Sequence, residues 1–246
     1  MSWLDSVLTT PVFGLRLKPS LRTSLSYANL LGEFLDELLV SAGNVNIAQL
    51  QPVGLLVTLN DTGHRIRFEP ANVVADFRYQ LEGEVAAGEL PAVKDPAVRP
   101  YSEVAQELIG LIAGAADCLA QQEHPLVCNR FGVVAQAWLK EKSAPPGVEK
   151  LKELLTGQWT RPVAKMESTA MTRLKEDEQV VEQCHHRLAF DETRQPGQLA
   201  LSLDWQRNLK EPLTLGVGDT QERLVDNLEA ALQYFESVAD GGFNDA

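Results

Sequence analysis

Glu182, Cys184 and His186 stand in strict alternation, a carboxylate, a thiol and an imidazole two residues apart. On a β-strand such residues point to one face. All three are zinc ligands by type, so the spacing invites a metal reading. A five-residue turn from Lys175 to Gln179 folds this strand back on its predecessor, setting Thr172, Ala170 and Ser168 opposite the three. The candidate ligand-binding set is therefore Ser168, Thr172, Glu182, Cys184 and His186, on the inner face of a sheet. A second ligand pair at diagnostic spacing does not occur, so neither a metal nor a cofactor is assigned. Of the functional roles, a polar pocket between sheet and helix for a small ligand is favoured over a metal site. The plainer reading, a strand end whose polar groups bond locally or reach water, outweighs both, yet this is the first place to look for a site.

Other chemistries find less to stand on. A Cys–His nucleophilic pair from Cys128 or Cys184 lacks a local signature, and Cys128 reads as a small packing residue. There is no Gly-x-Ser-x-Gly elbow, phosphate loop or dinucleotide fingerprint, and no catalytic residue is assigned. Gly216 and Gly218 resemble part of an anion-binding turn, but Asp219 at the helix start would repel a phosphate. Arg65 and Arg67 could bind an anion, although Asp76 on the facing strand makes a cross-strand salt bridge the simpler reading.

The chain has 246 residues and a net charge of −12, from 22 basic and 34 acidic side chains. The acidity is spread evenly, −7 before residue 126 and −5 after it. Such a surface repels a phosphate backbone and carries no basic stripe to offset that repulsion. Three distant cysteines argue against a disulfide framework. No apolar run reaches membrane-spanning length, and Met1-Ser2-Trp3-Leu4-Asp5 does not open a secretory signal. The expectation is a cytoplasmic protein that avoids membranes, with direct nucleic-acid binding disfavoured.

The elements that must position these groups form a pattern that occurs twice. A strand, a helix, three strands and a long helix run from about Pro11 to Gln122, and the series returns from about Leu126 to Asp240. Val12-Phe13-Gly14-Leu15 and Arg130-Phe131-Gly132-Val133 are offset by 118 residues, as are the expected helix caps Ser102 and Thr220. The first copy reads as a strand Val12–Leu17, a helix Leu21–Ser41, a hairpin of Val53–Leu59 with His64–Glu69, and a strand Val73–Leu81. An extended connection, Gly83 to Pro100, then leads to the long helix. The second reads as strands Leu126–Leu139, Val163–Leu174, Gln179–Phe190 and Gln198–Gln206, with a short helix Val148–Leu155 after the first and a long helix capped by Asp219. Placing apolar residues on one face pairs Phe68 with Val73, Ile66 with Ala75 and Arg65 with Asp76. The same rule pairs Leu174 with Val180, Met166 with Leu188 and Glu167 with Arg187.

Phe13-Gly14-Leu15-Arg16-Leu17, Asn129-Arg130-Phe131-Gly132-Val133 and Leu201-Ser202-Leu203-Asp204 before an amphipathic helix ending near Phe235 carry a resemblance. With these the chain resembles a family of uncharacterised, sporadically distributed prokaryotic proteins of about this length. That resemblance implies no established activity and carries over no site residue. Its patchy distribution implies accessory or mobile gene neighbourhoods.

The fold class expected is α+β, a duplicated β-α-β-β-β-α unit with mainly antiparallel sheets and long amphipathic helices packed on one face. Residues 1–125 form the first half and 126–246 the second. The leading function is a non-enzymatic interaction or accessory protein with a protein partner or self-association. The alternatives are a small-ligand or metal binder on the inner face of the second sheet, and a clamp-like nucleic-acid-associated protein.

Overall fold

Strand β1 (Leu8–Leu17) buries Thr9, Pro11, Phe13, Leu15 and Leu17 and turns the residues between them outward. That period of two is what a half-buried strand requires. The computed structural model describes residues 2–20, 26–50, 53–79, 83–84, 92–93, 97–157 and 160–242. After β1 come a single turn α1 (Tyr27–Leu30), helix α2 (Gly32–Ala42), and strands β2 (Val45–Gln49), β3 (Leu55–Leu59), β4 (His64–Glu69) and β5 (Asn72–Phe77). A two-residue ladder joins β6 (Gly83–Glu84) to β7 (Ala92–Val93), and helix α3 (Tyr101–Gln121) follows. The chain continues as β8 (Val127–Lys140), α4 (Pro146–Thr156), β9 (Lys165–Glu176), β10 (Val180–Asp191), β11 (Gln198–Thr214) and α5 (Asp219–Ala239).

Among the described residues nine strands form one antiparallel sheet, in the order β2-β3-β4-β5-β1-β8-β11-β10-β9. The fold is α+β. Helix α3 contacts β1, β4 and β5, helix α5 contacts β8 and β11, and the two helices touch each other. Each helix buries a stripe at helical spacing: Val104, Leu108, Ile112 and Leu119 on α3, and Leu224, Leu228, Phe235 and Val238 on α5. With Phe13, Phe68, Phe131 and Trp205 from the strands these make one core. Each such side chain, fully buried, contributes about 1.5–3 kcal/mol.

The centre of the sheet is the β1–β8 pair. Gly14 faces Gly132, Phe13 faces Val133 and Leu15 faces Phe131. Helices α3 and α5 each have 21 residues, and α5 starts 118 positions after α3.

The expected register of the first half matches the structure pair for pair. Phe68 faces Val73, Ile66 faces Ala75, and Arg65 faces Asp76, with Arg65 Nε donating to Asp76 Oδ1 at 2.7 Å. The β3–β4 turn closes on Gly63, whose φ of +80° and 2.2 Å clearance from the Arg78 carbonyl to an added Cβ leave room for glycine alone. In the second half the register is displaced by two residues. Leu188 faces Ser168 and Phe190 faces Met166, so Glu167 lies diagonal to Arg187. The ion pair forms across that diagonal all the same, at 2.9 Å.

Other expectations are corrected. Within the described residues the helix foreseen over 21–41 is two pieces, broken at Leu31; its first residues, 21–25, and Leu81 lie outside the described residues. Most of the connection foreseen over 83–100 also lies outside them. The first strand starts earlier than expected and passes through Pro11. This is tolerated because β5 pairs only from Val12 onward, so at Pro11 only β8 lies alongside. An unforeseen strand, β2, joins the edge beside β3. Ser102 does not cap α3: the helix begins at Tyr101, and the Ser102 N–H is met by Asp5 Oδ1 at 2.9 Å from across the fold. Thr220 lies inside α5, which opens at Gly218 in a left-handed conformation.

Candidate functional site

β10 buries Cys184, His186, Leu188 and Phe190 in alternation, and Glu182 belongs to the same inner face. The two-residue displacement keeps parity, so Ser168 and Thr172 also stay on that face. Their partners change. Thr172 faces Cys184, Ala170 faces His186, Ser168 faces Leu188, and Glu182 faces Lys175. The five residues therefore share a face yet divide into three environments: edge, core and cleft.

Cys184 and His186 are enclosed. Burial pushes the Cys184 thiol well above its ordinary pKa, with Asp204 adding to the effect, so the sulfur stays protonated and unreactive. Its Sγ approaches the His185 carbonyl at 3.8 Å. Burial likewise lowers the pKa of His186, against a hydrogen bond to the Ala170 backbone that raises it. With the ring neutral, the Tyr234 hydroxyl donates to Nε2 at 2.8 Å. Burial raises the Tyr234 pKa to about 12, with Cys184 contributing and a hydrogen bond to Thr172 opposing. Thr172, Tyr234 and His186 thus form a closed chain between sheet and helix α5. Among the described residues no group of three or more His, Cys, Asp or Glu side chains is placed to hold a metal ion.

Glu182 leads elsewhere. Against β8, strand β11 keeps register to Asn208 and resumes it at Leu213, so the four residues between swing away. β11 stays paired with β10 as far as Leu209, and the Lys210 N–H bonds the Gln179 carbonyl at 2.9 Å. Pro212, with no N–H to offer, suits a stretch that has left one neighbour. The excursion opens a cleft of ≈ 730 Å³ between β11, the β9–β10 turn and the first turns of α5.

Phe131 lies in the cleft lining with Leu209 and Leu213, and charged groups surround these apolar side chains. Most of those charges are matched. Arg207 binds Glu182 through Nε at 2.9 Å and a terminal nitrogen at 2.8 Å, while its guanidinium lies over the Trp205 ring at 5.1 Å. Lys175 meets Asp177 at 2.9 Å, and Lys210 meets Glu176 at 3.8 Å. Among the described residues the Glu178 and Glu211 carboxylates of the lining make no ion pair, and two further groups are left unmatched. The Arg223 guanidinium on α5 makes no ion pair among the described residues. Asn227, one helical turn on, is 1% exposed; its Nδ2 donates to the Arg223 carbonyl, but its Oδ1 has no partner. A buried carbonyl oxygen left without a donor costs about 1–3 kcal/mol.

The arrangement offers a buried acceptor, a cation at the rim and an apolar floor. Cys184 and His186 are buried in the core and do not belong to the cleft lining. Sequence reasoning found Glu182 but missed Arg207, Arg223, Asn227 and Tyr234. Arg207 was within reach as the residue facing Glu182 on the next strand. The only signal for Asn227 is an amide standing among Leu224, Leu228 and Ala231 on the buried stripe of an amphipathic helix.

A scan against protein-family models finds no match for the chain, and a search of curated proteins finds none either.

Proposed function

We propose that this is a non-enzymatic binding protein whose cleft beside the second half of the sheet receives a small polar ligand. The observation that carries the reading is Asn227 Oδ1, buried without a donor on the wall of a cleft whose other charges are mostly paired. A group so placed asks for an N–H or O–H from a ligand, and Arg223 asks for an anion within a turn of it. A free amino acid or a similar small molecule joining a donor to a carboxylate meets both. The volume falls in the ordinary range for small-molecule pockets.

Leucine at position 227 would remove the unsatisfied acceptor while keeping the branched shape of the side chain. Asn227→Leu should therefore raise the ligand-free melting temperature by about 2–4 °C, the equivalent of about 1 kcal/mol in a chain of this size. It should also abolish stabilisation by ligand. Thermal-shift measurements with the twenty amino acids, on wild type, Asn227→Leu and Arg223→Ala, test this. Saturating ligand at a hundredfold excess over Kd should stabilise the wild type by about 2.7 kcal/mol. No shift with any of them, or equal shifts in all three proteins, would sink the reading.

A second reading, an interaction protein, is favoured by Trp138. It is 45% exposed on a sheet face where Ala189, Ala200 and Ser202 leave shallow depressions on both sides of the ring. In either reading the chain is a duplicated unit whose halves meet at Gly14 and Gly132, with the long helices on one face. The 118-residue spacing of α3 and α5 supports it. A duplicated frame would hold the cleft in one half while the other serves as scaffold.

A further inference from the structure

Among the described residues β9 is a free edge of the sheet. Folded proteins blunt such edges with short strands, charged side chains, prolines or bulges, because unpaired N–H and C=O groups template another strand; the charges of β9 gather toward its two ends. The opposite edge, β2, has five residues. β9 has twelve and no proline, and at its middle it is open on both faces: Met171 is 53% exposed, and Ala170, on the inner face, is exposed too. A register shift near Glu182 bounds the regular part at Arg173. The segment that presents a straight edge is Glu167-Ser168-Thr169-Ala170-Met171-Thr172-Arg173.

That segment is complementary to itself. Laid antiparallel on a second copy with Ala170 on the twofold axis, Glu167 faces Arg173 at both ends. Ser168 then faces Thr172, and Thr169 faces Met171. Opposite charges and hydroxyl pairs directly across a ladder are the favourable combinations. Within one chain Glu167 bonds Arg187 and Arg173 bonds Glu176, but Glu167 and Arg173 are each more than half exposed and free to re-pair. We propose that a second copy of this chain docks on β9, making a twofold dimer in which the sheet runs continuously through both molecules. An isologous contact of this kind closes on itself and stops at two. The proposal does not depend on the cleft, which lies beyond the far end of the paired segment.

Sedimentation and light scattering on the full chain over a range of concentrations should show a dimer. Glu167→Arg alone, or Arg173→Glu alone, places like charges opposite each other twice and should weaken the dimer about tenfold or more. The double reversal should restore it. Circular dichroism on each variant separates lost pairing from lost folding.

The register has its own test. Cys118, Cys128 and Cys184 are all buried, so an introduced surface thiol reacts alone. Under mild oxidation Ala170→Cys should cross-link to its own copy across the axis, while Arg173→Cys, about 20 Å from its counterpart at strand spacing, should not. A monomer at every concentration, an open-ended assembly through β2, indifference to the charge reversals, or no cross-link at 170 would each overturn the proposal.

Discussion

Asn227 and His186 are both polar and both buried, yet they differ in what surrounds them. His186 has a donor in Tyr234 and a backbone partner in Ala170, so its burial is compensated as long as the ring is neutral. Its folded pKa lies below 6.5, and so does that of His64, where burial outweighs the opposing pull of Glu107. The unfolded chain therefore takes up protons first as pH falls. Stability from these two groups is complete above about 6.5 and is lost as pH drops from there toward the folded values. Urea midpoints should fall between pH 8 and pH 5.5, each histidine contributing at most about 1.4 kcal/mol per pH unit. His186→Gln should flatten part of that slope, and a midpoint that rises on acidification would contradict the assignment. Alternation along one strand made the shared face of Glu182, Cys184 and His186 legible in the sequence. Tyr234 was not legible, because which helix residue meets which strand depends on the crossing of α5 over the sheet, and periodicity carries no information about that.

Helix α4 shows how tightly the elements are set. Gly147, in its first turn, lies so close to the end of α5 that an added Cβ would stand 2.0 Å from the Val238 carbonyl and 2.7 Å from that of Ala239. Gly147→Ala must push the two helices apart, and it should cost about 1–3 kcal/mol as overpacking against backbone. Chemical denaturation of the variant measures it; an unchanged midpoint would mean that α4 moves freely against α5. Most elements could be placed from pattern alone, since β3, β4 and β5 alternate cleanly and β8 does so from Phe131 onward. Strand β2 escaped because an edge strand packs little and Val45-Asn46-Ile47-Ala48-Gln49 carries a weak pattern. The start of α3 was misplaced for a different reason. Its first free N–H groups are served in part by Asp5, ninety-seven residues earlier, and no local motif announces a cap delivered from so far away.

The whole molecule rests on one core shared by both halves, so it should unfold as a unit. Calorimetry of the full chain should give a single transition with equal calorimetric and van't Hoff enthalpies. Two resolved transitions would show that the halves are independent. The β1–β8 pairing on which this cooperativity depends also sets an order of events during synthesis. β1 can pair with β5 as soon as residue 77 is free, but its other side stays open until β8 has emerged, more than sixty residues later. Contacts between partners so distant in sequence form slowly. On the ribosome, then, the first half spends that interval with an unpaired strand edge exposed at what will become the centre of the sheet. This is the stage at which mispairing with another nascent chain competes with the native fold.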